Sequence, residues 1–262
     1  MSQFEADINL RQLDDNHFAG HISPAWNIGN NPNGGYLVSV AVKAISLVVG
    51  HPDPLSVTTH FLRPGTPDTP CRVEVEIVRT GRTLSTARAR LSQEGKIRLE
   101  VLAAFGDLAQ PAGVSTDITL PRPVMLPPDE CLPRDGASQG VELPITSRLD
   151  IRLAPTTPNL AEVGGWIRFI DGAEPDPRAL LLFCDTFPPS PFNLLGNIGW
   201  VPTLELTVHV RRRPAPGWIQ AQFRTDDLHE GRMLESGALW DSQGELVAEC
   251  RQLGLVMRNS ST

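Results

Sequence analysis

The sequence predicts an α+β protein made of two tandem copies of one unit, each an antiparallel sheet wrapped round a central helix. Three observations carry this. An apolar helix follows a glycine turn early in the chain. Strands that alternate polar and apolar residues follow the helix. Short words of the first half return in the second half at one fixed spacing.

Asn31-Pro32-Asn33-Gly34-Gly35 is a turn cluster, and Tyr36 to Ile45 after it is almost wholly apolar. Small residues Ser39, Ala41 and Ala44 suit close packing, and the length and preceding turn favour a buried helix over a strand. Gly50, Pro52 and Pro54 end it. Strands are then expected over Ser56 to Leu62, Arg72 to Val78, Leu84 to Leu91 and Ile97 to Phe105, with Gln93-Glu94-Gly95-Lys96 as a hairpin turn. Asp107 to about Pro144 is rich in proline and reads as a linker over the surface. Beyond it the order returns. Strands are expected at Leu149 to Leu153 and Gly165 to Phe169, a helix at Pro177 to Cys184, and strands at Thr203 to Val210, Trp218 to Arg224, Met233 to Asp241 and Glu245 to Val256.

The repetition is in words. Arg63-Pro64 returns as Arg213-Pro214, Gly81-Arg82 as Gly231-Arg232, and Ser92-Gln93 as Ser242-Gln243, each at 213 − 63 = 231 − 81 = 242 − 92 = 150. A lone apolar helix cannot stand in water, and a curved sheet buries it on most sides. The expected organisation is a first repeat at 1–108, a Pro-rich linker at 109–145 and a second repeat at 146–262.

Composition excludes several classes. Of 262 residues 40% are apolar, so a core is available and wholesale disorder is excluded. Lys+Arg 23 against Asp+Glu 30 gives a net charge of −7, which argues against nucleic acid as a partner. No apolar run is long enough for a membrane span, and the first residues lack a signal-peptide pattern, so a cytoplasmic protein is expected. Cys71, Cys131, Cys184 and Cys250 are far apart and read as buried free thiols, not as a zinc site. Gly136-Ala137-Ser138-Gln139-Gly140 fits a serine-hydrolase elbow in letters only, because it lies in the Pro-rich segment without the required strand and helix.

Asn33-Gly34-Gly35 opening a helix, His60-Phe61-Leu62-Arg63-Pro64-Gly65, and a Val-Glu-Val strand together resemble the first half of the type II acyl-CoA thioesterases, the TesB-like family. Phe183-Cys184-Asp185, Thr203-Leu204-Glu205 and Gln252 to Arg258 resemble its second half. The resemblance spans nearly the whole chain except the linker. It implies the double hotdog fold, hydrolysis of an acyl-CoA substrate, and a water activated by Asp185, Thr203 and Gln252. It also implies a homo-oligomer, since hotdog halves commonly pair further through sheet edges or faces. No metal or redox cofactor is expected, because a thioester is already an activated acyl donor. Two other readings stay open: a non-catalytic acyl-CoA-binding module, and an enoyl-CoA hydratase. The hydratases resemble an Asp followed five residues later by His, and here position 190 is Ser.

The residues can also be weighed alone. Asp185 follows an apolar helix, and burial together with the negative helix end should raise its proton affinity. Alternation on the last strand puts Gln252 on the inner face with Cys250 and Ala248, where an amide needs partners; its counterpart at the 150 spacing is Leu102, an ordinary core residue. Thr203 falls by alternation on a polar face, so a bulge is needed to aim it inward. Gly34 and Gly35 start a helix whose free N–H groups suit an oxyanion. Arg63, with Arg211-Arg212-Arg213, is a candidate for the phosphates of coenzyme A, or else a solvated strand end.

Overall fold

The computed structural model describes residues 1–257 except 111, 117, 138–139 and 197–198. In chain order the elements are α1 (Gln3–Asp7), β1 (His17–Ile22), α2 (Gly34–Ser46), β2 (Asp53–Phe61), β3 (Thr69–Thr80), β4 (Ser85–Gln93) and β5 (Lys96–Gly106). The second half gives β6 (Leu149–Leu153), β7 (Glu162–Phe169), α3 (Pro177–Phe183), α4 (Phe192–Leu195), β8 (Thr203–Val210), β9 (Ile219–His229), β10 (Arg232–Trp240) and β11 (Leu246–Leu255).

The strands form one antiparallel sheet in the order β1-β3-β4-β5-β2-β8-β11-β10-β9-β7-β6, with two-residue strands Arg11–Gln12 and Leu132–Pro133 at its edges. β2 and β8 join the halves at the middle. α2 and α3 lie in the hollow of the sheet and pack against each other. α2 is buried on nearly every face, which its scarcity of charged residues permits, Lys43 being the one charge it carries. The Asn33 side chain caps it by accepting from Tyr36 N at 2.9 Å, and Ser39 Oγ donates to Gly35 O at 2.8 Å, so its buried hydroxyl is satisfied. A Cβ at Gly35 would sit 2.7 Å from Leu181 O, so only glycine lets α2 touch the backbone of α3. α3 opens on Pro177 with Asp176 accepting from Arg178 N and Ala179 N. All four cysteines are buried and free.

The sheet register shows the duplication and corrects its spacing. The bulge Pro54/Ser56 in β2 returns as Thr203/Glu205 in β8, at 203 − 54 = 149. The bulge Ile77/Arg79 in β3 returns as Thr225/Asp227 in β9, at 225 − 77 = 148. Arg63 Nη1 donates to Ile97 O, and Arg212 Nη1 to Leu246 O, at 212 − 63 = 246 − 97 = 149. The word matches at 150 therefore lie one or two residues off the structural equivalence, because loops and turns differ in length while the strand ladder does not. Leu102 is accordingly not the counterpart of Gln252 and not a core residue: it is 49% exposed. The residue at 252 − 149 = 103 is Ala103, 1% exposed and on the inner face.

Two further expectations change. The first half gains a strand before its helix, β1, which pairs with β3 as the expected β7 pairs with β9. The Pro-rich segment is more than a surface tether. Leu120 O and Leu126 O accept from the indole N–H groups of Trp240 and Trp166, so it straps the outer face of the second half. Further on, Cys131 and Arg134 are buried.

Candidate active site

A cleft of about 520 Å³ opens where the end of α3, the start of α2 and strands β8, β10 and β11 converge. Asp185, Thr203 and Gln252 all line it, as do Gly34, Arg63 and Arg134. Its apolar wall includes Leu37, Phe61, Phe187, Trp200, Phe223 and Met233.

Asp185 follows the last turn of α3, with its N–H on Leu182 O at 3.1 Å, and is half-buried. Its Oδ2 accepts from Gly35 N at 2.9 Å and from Asn33 Nδ2 at 3.2 Å, while Asn33 Nδ2 also reaches Asp185 O at 2.6 Å. Gly35 N and Asn33 Nδ2 converge on Oδ2, and Asp185 lines the cleft. Burial pushes the Asp185 carboxyl up to about 6. The Gly35 N–H works against that shift, the nearby Glu235 carboxylate works with it, and the Gly34 N–H and Arg134 oppose it. The α2 N-terminus thus holds the Asp185 carboxylate. In this structure the Gly35 amide, offered by the sequence as an oxyanion donor, is engaged by Asp185. A Cβ at Gly34 would fall 2.7 Å from Asp185 Oδ2, so glycine is required for the carboxylate to rest there.

Thr203 sits at the expected bulge, where the β8–β11 register shifts between Thr203 and Glu205. That shift turns its hydroxyl to Gln252, with Thr203 Oγ1 donating to Gln252 Oε1 at 2.9 Å. Gln252 is 9% exposed, and its Nε2 donates to Glu235 Oε1 on the neighbouring strand β10. Glu235 Oε2 accepts from Ser190 N at 2.8 Å and from Ser190 Oγ, and Ser190 Oγ shares a hydrogen with Thr225 Oγ1 at 2.7 Å. Burial pushes the Glu235 carboxyl up, against the Ser190 and Gln252 donors.

Four participants escaped the sequence reading: Glu235, Ser190, Asn33 as a partner of Asp185, and Arg134. Glu235 had a signal. It shares strand parity with Met233 and Gly237, so the alternation that placed Gln252 inside places it inside too. Arg134 had none, because it lies in the Pro-rich stretch. Its Nη1 donates to Thr186 O, next to Asp185, and burial lowers its guanidinium to about 10.

The arginine expectation divides. Arg63 lines the cleft, with its guanidinium on Ile97 O at 3.0 Å. The run at 211–213 is elsewhere: Arg213 pairs with Asp53 at 2.8 Å and Arg212 with Glu245 at 3.2 Å. Ser138 and Gln139 of the elbow-like word, and Arg258 of the last resembling stretch, lie outside the described residues. Among the described residues, no helix is long and apolar enough to cross a membrane, and no cluster of His, Cys, Asp and Glu has the makings of a metal site.

Two helices wrapped by one continuous sheet make a double hotdog. A candidate thioesterase II of Thermobifida fusca is 29% identical, with 98% of both chains covered and a TM-score of 0.88. A hot dog fold protein of Alicyclobacillus acidocaldarius is 22% identical over 99% of both chains with a TM-score of 0.86, and the acyl-CoA thioesterase II TesB2 of Mycobacterium marinum is 22% identical over 99% of this chain and 100% of that one, with a TM-score of 0.80. These two share the fold. Residues 22–108 match the acyl-CoA thioesterase N-terminal domain and residues 128–256 the acyl-CoA thioesterase C-terminal domain. The chain therefore belongs to the acyl-CoA thioesterase family, and it is a thioester hydrolase.

Proposed function

We propose that the cleft hydrolyses an acyl-CoA thioester with Asp185 as the general base and with Thr203 and Gln252 holding the attacking water. The observation that carries this is the meeting of the three side chains, from α3, β8 and β11, in one apolar-walled cleft. Asp185 Oδ1 takes a proton from water as the water oxygen bonds to the thioester carbon. The C–S bond then breaks, coenzyme A leaves as the thiol with that proton, and the free acid remains. A carboxylate near pKa 6 is mostly ionised at neutral pH yet more basic than an exposed aspartate, which suits proton abstraction. The α2 N-terminus keeps it charged despite burial.

Position 190 is also where an enoyl-CoA hydratase reading would want a histidine. Ser190 is hydrogen-bonded to Glu235, so that reading finds no acid there. The test is a thiol-release screen over short, medium, long and aromatic acyl-CoAs with the native protein and Asp185→Asn. Turnover on at least one of them, cut by roughly 10²–10⁴ in the variant, is expected. Unchanged turnover in the variant rejects Asp185 as the base. Saturable binding with no thiol release by the native protein would mean an acyl-CoA-binding module.

A further inference from the structure

We propose that Glu235 is a positioning residue that sets, through Gln252, the direction in which the Thr203 hydroxyl presents itself to the hydrolytic water. This rests on the reading of Asp185, Thr203 and Gln252 given above.

Glu235 stands on β10 directly across from Gln252 on β11 and is 3% exposed. The Ser190 N–H and Oγ–H that donate to Glu235 favour its ionised form, and an ionised carboxylate only accepts hydrogen bonds. Its Oε1 must therefore face the amino end of the Gln252 amide, as it does, and the carbonyl end turns toward Thr203. That carbonyl also only accepts, so Thr203 must donate its one hydrogen to it. The lone pairs of Thr203 are then left to accept from a water in the cleft. Each link follows from the one before, and the first link is Glu235. A terminal amide torsion is nearly two-fold, so without that carboxylate either end of Gln252 could face Thr203. In the opposite orientation the threonine hydroxyl would have to accept from the amide, and its hydrogen would point at the water instead of its lone pairs.

The carboxylate is itself held in place. Ser190 gives it both its N–H and its Oγ–H, from the loop that leads out of Asp185. The titratable groups that act on it or feel its charge are Asp226 on β9, Cys250 on β11 and Asp185 at the end of α3. The first half of the chain shows the same sheet without the relay. Ala87 stands opposite Ala103 there, at 235 − 148 = 87 and 252 − 149 = 103, so neither side chain is needed to build the ladder.

A double-mutant cycle of Glu235→Gln and Thr203→Ala, read by thiol release on the best acyl-CoA of the screen, tests this. Glu235→Gln alone is expected to lower kcat by about 10–100-fold, as misplaced catalytic groups do, with KM nearly unchanged. In the Thr203→Ala background the same change is expected to cost less than about twofold, because no hydroxyl is left to orient. An equal loss in both backgrounds, or no loss in either, overturns the role of Glu235. Native kcat in Thr203→Ala alone overturns the three-residue reading beneath it, a result distinct from the other two. If Glu235→Gln does not fold, Ser190→Ala takes its place in the cycle, with the same pattern expected and the same equal loss overturning the proposal.

Discussion

The two halves of this chain keep the same hydrogen bonds where the sheet is built and differ where the cleft is. Arg63 on Ile97 O and Arg212 on Leu246 O are one bond made twice. The buried Gln93, whose Oε1 accepts from Thr66 N, has its match in Asp241, whose Oδ2 accepts from Ala215 N, at 241 − 93 = 148 and 215 − 66 = 149. In the cleft the match ends. Thr203, Gln252 and Glu235 stand where the first half has Pro54, Ala103 and Ala87. Bonds that close turns and strand ends are needed by any copy of the fold. Buried polar side chains that close nothing are costly unless each is paired; at these three positions the second half carries a paired set and the first half carries none.

Exchanging residues between equivalent positions sharpens this contrast. Gln252→Ala installs the first half's side chain in the second and should cut kcat by about 10²–10³, the scale for losing one preorganised polar contact, as checked by thiol release. The converse, Ala103→Gln, places an amide among apolar neighbours and should destabilise the fold by about 1–3 kcal/mol in urea unfolding, with little effect on kcat. A large rate loss in the converse variant would mean that the first half also takes part in catalysis.

The cost of keeping the Asp185 carboxyl buried can be read from pH. The Asp185 carboxyl titrates near 6 in the fold against 3.8 for the free side chain. The folded state therefore binds the proton more tightly, and stability falls as pH rises from about 4 to about 6, by up to about 3 kcal/mol. Asp185→Asn, with turnover cut as expected above, should melt higher than the native chain at pH 7.5, and the gain should vanish below pH 4. Thermal melts across that range check it, and a constant difference between the two proteins at all pH values would contradict it. The native pH profile of kcat/KM should rise through the same region.

Arg63 gives the smallest effect and the most direct comparison. Arg63→Ala and Arg212→Ala each remove the same bond from an exposed guanidinium, and each should cost about 0.5–1 kcal/mol in unfolding measurements. Of the two, Arg63 alone lines the cleft. A rise in KM for acyl-CoA confined to Arg63→Ala would give it a substrate role on top of the structural one, and equal KM values would leave it the structural one alone.

Much of this was legible in sequence for a definable reason. Alternation reports which face of a strand is buried, so it places Gln252 inside and requires a bulge at Thr203, which the register shift at Thr203/Glu205 supplies. Two-residue periodicity carried Glu235 as well, but a charged residue there reads first as solvent-facing. Asn33, Ser190 and Arg134 were out of reach. They meet Asp185, Thr186 and Glu235 through folding that brings residue 33 to 185, 134 to 186 and 190 to 235, and no local pattern encodes such distances. The shift of the repeat from 150 to 149 and 148 was hidden likewise, since short words align turns while hydrogen bonds align strands.

At the seam between the halves, Thr58 Oγ1 meets Thr207 Oγ1 at 3.0 Å, and 207 − 58 = 149 makes each the other's counterpart. A residue that faces its own image is the signature of an isologous contact, the kind two identical chains make across a two-fold axis. In a pair of identical chains every substitution is made twice, so both clefts change together. One continuous chain removes that bond between them, and a proline and two alanines in one copy carry no penalty in the other.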